Sequence, residues 1–185
     1  LKIIYSKKAN QIAQRNIGLK KLSKNTDILL QLDDRMVLNK DCLKELIYSW
    51  KNSDKDTIGI GLNIITNNSL KLKSYNNFLN IIGIKGLTPF LGLNFDYSNL
   101  DKNKKVSWIK GGASSWDLKK NKRIYERKFP NWKWCVFEDI DYCLGMKKNE
   151  KLIICSKAKV KILKSKKLNN KDSFKRGILN SLSIK

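Results

Sequence analysis

The clearest period-2 pattern lies late in the chain. Between Lys151 and Leu163, Ala158, Val160 and Ile162 fall on one side, while Lys157, Lys159 and Lys161 fall on the other. Such alternation marks a half-buried surface and predicts a strand pair over residues 151–163. Two other runs are apolar without alternating: DILLQL from Asp27 to Leu32, and IGIGLNII from Ile58 to Ile65. Continuous apolar strands belong inside a parallel sheet. Helical spacing appears twice near the start. Ile12, Ala13, Leu19 and Leu22 form an imperfect stripe between Ala9 and Leu22, and Leu43, Leu46, Ile47 and Trp50 form a second, with Asn39 placed to cap it. Residues 2–5 predict a further short strand. Strand, helix, strand, helix, strand is the order of an α/β layer structure.

Residues 66–105 mix apolar patches with Gly and Pro and carry no period. They predict an insertion, a helix plus hairpin, or a lid. Val106 to Ile109 predicts a strand running into Gly111-Gly112, followed by a short polar helix and the aromatic cluster FPNWKWCVF. A helix is expected from Glu138, and a last amphipathic helix from Asp172 or Ser173 to Leu182. No internal repeat is visible.

Composition narrows the class. A chain of 185 residues with 41% apolar content is enough for one domain, 1–185, with a sizeable core. No apolar run approaches the ~20 residues that span a bilayer, and no signal peptide is visible; cysteines expected to be reduced suit a cytoplasmic location. The chain opens on LKIIYS, which reads as a strand already under way, so earlier residues are expected to be missing. The net charge of +23 favours anionic partners: nucleic acid, an anionic membrane or a phosphorylated ligand. Eleven Lys or Arg face one acid, Asp172, between Lys151 and Lys185; a Lys- and Asn-rich coding bias explains that run equally well. The four cysteines form no CxxC pair and the chain has no histidine. That disfavours zinc sites of the usual kinds and excludes Ser-His-Asp and Cys-His arrangements. Cys42, Cys143 and Cys155 lie among apolar neighbours and read as buried free thiols.

Two acidic groups carry candidate chemistry. Asp33 and Asp34 stand where the first apolar run ends, and in open α/β sheets ligands bind outside the carboxyl ends of strands. Adjacent carboxylates repel and favour a compensating cation, and hard oxygen donors suit Mg²⁺ or Mn²⁺. A solvated turn is the plainer reading. Glu138, Asp139 and Asp141 open the helix predicted from Glu138; the helix dipole alone stabilises such acids by roughly 0.3–1 kcal/mol each. A general base would need one of them within hydrogen-bond reach of a hydroxyl in a cleft. Between the groups stands SWIKGGASSW, whose glycines permit a close backbone approach. Trp108 and Trp116 offer flat faces to sugars or bases, with core packing the plainer role for Trp108.

Four segments, in order, resemble family 2 glycosyltransferases of the GT-A fold. QRNIGL (14–19) resembles that family's ARNxG segment, and LLQLDDRMVLNKDCLKEL its Asp-rich metal motif with the helix after it. VSWIKGGAS resembles the tryptophan–glycine acceptor loop, and YERKFPNWKWCVFEDIDYCL the FDExF…EDxDL segment. The resemblance implies a GT-A-like (Rossmann-like), mixed and mostly parallel sheet flanked by helices, lacking the family's amino-terminal strand–helix–strand unit. It implies transfer of a sugar from a nucleotide-sugar donor to a hydroxyl of a glycan or lipid-linked acceptor, usually with inversion. Asp33 then matches the metal ligand for Mg²⁺ or Mn²⁺, Asp34, Arg15 and Asn16 the donor side, Trp108, Gly111 and Gly112 the acceptor side, and Asp139 the base, with Glu138 as substitute.

The departures are specific. Arg35 stands where the metal motif commonly has a further Asp, Gly145 where an arginine often follows the helix, and Ile162 or a neighbour where a histidine is often found. Cell-surface polysaccharide synthesis at the inner face of an anionic membrane is the expected setting. Two alternatives remain: a basic nucleic-acid-binding module, disfavoured because the aromatics are not interleaved with the basic tail, and an inactive relative that serves as an interaction subunit.

Overall fold

A computed structural model describes residues 3–5, 10–65, 99–126 and 138–163. The apolar run around Ile60 forms a strand, β3 (Thr57–Ile65), buried along almost its whole length. Its two faces feed two cores. Ile60, Leu62 and Ile64 enter a cluster with Cys42, Leu46, Cys155 and Val160. On the opposite face Gly59 and Gly61 leave room for Trp116, Ile109, Leu152 and Ile154, which belong to the second cluster.

The remaining elements are a helix α1 (Gln11–Leu19), strands β1 (Ile28–Leu32) and β2 (Met36–Leu38), a helix α2 (Cys42–Lys51), strands β4 (Lys104–Val106) and β5 (Ala113–Asp117), a 3-10 turn (Lys122–Glu126), a helix α3 (Glu138–Leu144) and a strand β6 (Lys151–Ile162). The sheet runs β1-β5-β3-β6-β2, and β4 also pairs with β6. β3 and β6 are parallel, and the other four ladders are antiparallel. The sheet is therefore mixed, not mostly parallel. Its antiparallel character comes mainly from β5, which inserts between β1 and β3.

Several expectations change. The stretch after Gly112 opens with a strand, β5, and the short polar helix follows it as the 3-10 turn; hydrogen bonds hold the polar groups of β5 beside the buried Trp116. Ser115 Oγ donates to the Ile60 carbonyl at 2.8 Å and accepts from Trp50 Nε1 at 2.9 Å, while Trp116 Nε1 donates to Ser114 Oγ at 3.1 Å. β1 meets an antiparallel neighbour, so its unbroken apolar run did not signal a parallel interior. The strand expected at Val106–Ile109 lies earlier, at Lys104–Val106. Residues 3–5 are exposed and outside any strand. α2 starts after Asp41, and Asn39 contributes only its backbone carbonyl, to Cys42 N–H. Residues 66–98, the aromatic cluster and the expected last helix lie outside the described residues.

The late alternating run is one long strand, not a pair, with an irregularity in its middle. Leu62 pairs with Cys155 but Asn63 pairs with Lys159, so Ser156, Lys157 and Ala158 leave the ladder. Asn63, fully buried, repairs the gap. Its Nδ2 donates to the carbonyls of Ser156 (2.7 Å) and Leu100 (2.9 Å), and its Oδ1 accepts from Leu100 N–H (3.0 Å). Lys157, Lys159 and Lys161 are exposed as expected, while Ile162 is 42% exposed where the pattern placed it inward. Among the described residues no helix is long and apolar enough to cross a membrane.

Cys42, Cys143 and Cys155 are buried free thiols, as their apolar neighbours suggested. Burial, and then the neighbouring Cys155, push the Cys42 thiol up to about 11. At about pH 8 the thiolate fraction is then on the order of one in a thousand. Iodoacetamide should leave Cys42 unlabelled in the native chain and label it after unfolding; rapid native labelling by peptide mass spectrometry would contradict this. Replacing Asn63 by Ala should cost about 3 kcal/mol in urea unfolding, because it strands three buried backbone groups.

Candidate functional site

The carboxyl end of β1 and the amino end of β5 lie side by side, since Leu32 pairs with Ala113. The chain leaves β1 through a tight turn in which Asp33 C=O accepts from Met36 N–H at 3.0 Å. Asp34 and Arg35 are the two central residues of that turn, and both are exposed. Across from it the Gly112 carbonyl accepts from Asp33 N–H at 2.9 Å. Contact is so close that a Cβ on Gly112 would overlap the Asp33 carboxylate. A Cβ on Gly111 would lie 2.7 Å from Glu138 Oε1 and 3.0 Å from Arg15 Nη1. Both positions need glycine for space.

Arg15 joins the acids. Its Nη1 is bonded to Glu138 Oε1 and its Nη2 lies 3.6 Å from Asp33 Oδ1. Arg15 and Glu138 have side-chain exposures of 15% and 5%, which makes this a buried pair. Gln11, one helical turn before Arg15 and so on the same face of α1, donates from Nε2 to Asp33 Oδ1 at 3.3 Å. Asn10 caps that helix through Oδ1, which accepts from Ile12 and Ala13 N–H at 3.0 Å.

Glu138 and Asp139 are neighbours at the start of α3 and take different roles. Glu138 turns to Arg15. Asp139 Oδ2 accepts from Gly111 N–H at 3.0 Å, and its Oδ1 from Ile140 N–H at 3.0 Å. The carboxylate is thus oriented by main-chain donors and still lines a pocket of about 310 Å³. Asp33, Arg35, Lys110, Gly112 and Asp139 supply the polar wall, and Met36, Ile64, Trp108, Ile140 and Ile162 the apolar one.

The structure brings together most of the residues singled out in the sequence. Asp33, Trp108, Gly112 and Asp139 line one pocket, with Arg15, Glu138 and Gly111 directly behind it. Asp34 and Asn16 do not join that lining; Asp34 is the solvated turn residue that the plainer reading foresaw. Both tryptophans are core residues: Trp108 is 3% exposed, as its plainer role foresaw, and also lines the pocket, while Trp116 is 1% exposed with its ring edge-on to Tyr142, centroids 5.2 Å apart. Ile162 lines the pocket at the position noted for lacking a histidine.

Gln11 and Lys110 went unrecognised. Lys110 was visible inside WIKGG, next to the glycines, and Gln11 by its four-residue spacing from Arg15.

The donor set does not fit the divalent cation expected at Asp33. Among the described residues no group of three or more Cys, Asp or Glu side chains could hold a metal ion. Asp33 already accepts from Gln11 and faces the Arg15 guanidinium, and two further cationic side chains, Arg35 and Lys110, share its pocket. Both contacts fall on Oδ1, so a divalent ion would have to use Oδ2 and tolerate the three nearby cations.

No family model matches the chain, and no curated protein or solved structure matches it.

Replacing Arg15 by Met should destabilise the fold by about 3–5 kcal/mol, because it removes the guanidinium bonded to the buried Glu138 carboxylate. The double variant R15M/E138L should recover much of that loss. A double-mutant cycle in urea measures both; additive effects would show that the pair is uncoupled.

Proposed function

We propose that the chain is a glycosyltransferase, moving a sugar from a nucleotide-sugar donor to a hydroxyl of a glycan or lipid-linked acceptor with inversion. The observation that carries the reading is the convergence of segments distant in sequence. The end of β1, the Trp108–Gly112 loop and the start of α3 resemble, in that order, the donor, acceptor and base segments of one enzyme family, and they meet at one pocket.

Asp139 is the base in this reading. It lines the pocket, whereas Glu138 is turned to Arg15. As the acceptor oxygen bonds to the anomeric carbon, the bond from that carbon to the diphosphate oxygen breaks. The acceptor proton passes to the Asp139 carboxylate, and the electron pair leaves with the nucleoside diphosphate. Developing positive charge on the sugar ring resembles that of other glycosyl transfers. Gly111 N–H holds Asp139 in position, and the buried Trp108 forms part of the pocket's apolar wall. Arg15 is a positioning residue, acting through Asp33 and Glu138. The setting we propose is cytoplasmic, at an anionic membrane face, where each nearby Lys or Arg adds about 1 kcal/mol at most.

Asp139→Asn keeps the shape and removes the basicity. It should lower release of nucleoside diphosphate from a panel of UDP-, GDP- and dTDP-sugars, in the presence of glycan acceptors, by about 100-fold or more. Unchanged turnover in that variant, with the fold intact by circular dichroism, would sink the assignment of Asp139.

A further inference from the structure

We propose that the leaving diphosphate is neutralised by side-chain cations, Arg35 and Lys110, and not by a divalent metal. This rests on the transferase reading and assigns the diphosphate end of its pocket. The acids of the site each already have a protein donor. Arg15 serves Asp33 and Glu138 together, Gln11 also donates to Asp33, and the main-chain N–H groups of Gly111 and Ile140 serve Asp139. Arg35 and Lys110 are the cationic residues of the pocket wall.

Their placement suits the task. Arg35 sits in the turn directly after the end of β1, and its backbone is pinned: its carbonyl accepts from Leu163 N–H at 2.9 Å. The exposed guanidinium is carried on a fixed base and presents a planar fork that matches two phosphate oxygens. Lys110 lies on the loop just before Gly111, on the strand-end side that also holds Asp139. A lysine there acts as a point charge toward the same group. A diphosphate between them gains charge without drawing on Asp33, which stays locked to α1. Arg35 thus takes the place of a metal ligand by supplying the positive charge directly.

The ligand chemistry is a nucleoside diphosphate, and the test is calorimetry of the 185-residue chain with UDP, GDP and dTDP, each in EDTA and in Mg²⁺ or Mn²⁺. At least one nucleotide should bind equally well, within about threefold, with and without the metal. Arg35→Ala and Lys110→Ala should each weaken that binding by about tenfold or more in both buffers. Arg35→Asp should bind poorly in EDTA. Arg35→Gln serves as a second variant of the same exposed position, and unfolding midpoints confirm that each variant is folded. Binding that appears only with metal, or affinity unchanged in both R35A and K110A, overturns the proposal and leaves the transferase reading standing. Absence of binding by the unaltered chain to every nucleotide, in either buffer, overturns both.

Discussion

One guanidinium holds the site together. Arg15 lies between Asp33 at the end of β1 and Glu138 at the start of α3, so a single side chain from α1 neutralises acids on two other elements. Glu138 is 4% exposed, and its carboxylate is bonded to that guanidinium. Seating Glu138 places Asp139, next in sequence, against Gly111 N–H, and the adjoining Gly112 carbonyl returns to Asp33 N–H. The contacts form a closed circuit through three elements and one loop. The circuit is narrow enough that neither glycine has room for a Cβ.

The same economy appears inside the sheet. Where β6 slips against β3, two asparagines bond Ser156: Asn63 donates to its carbonyl and Asn103 accepts from its N–H. Around the serines of β5, indole N–H groups from α2 and from β5 itself bond the hydroxyls, and Ser115 bonds on to the β3 carbonyl of Ile60. Buried polar groups are tolerated in both places because each finds a partner.

This explains which parts of the structure were legible in the sequence. α1, α2 and the lysine face of β6 follow from apolar periodicity and β3 from an unbroken apolar run, both local signals. β5 was missed because ASSWD has neither period; its burial depends on partners in α2 and β3, far away in sequence. Strand direction was misread at β1 for a related reason, since an apolar run reports burial on both faces and says nothing about the neighbour's orientation. At the site, the acids, glycines and Arg15 were marked by motif order, whereas Lys110 was masked by the many lysines of a chain with a charge of +23. The roles of Trp108 and Trp116 could be separated only by their surroundings.

The pairing order has a consequence for how the chain assembles. Among the described residues no two of β1, β2 and β3 are neighbours in the sheet; each is joined to it through β5 or β6. β6, the last strand among the described residues, touches β3 along one side and both β2 and β4 along the other. During synthesis β1, β2 and β3 leave the ribosome before the described strands they pair with, and β3 is on its way to almost complete burial. Long-range closure of this kind is slow compared with local helix formation. Until residues 151–162 emerge, β3 is an open edge that another nascent chain can pair with, so the strand that completes the sheet also ends the molecule's period of greatest exposure to aggregation.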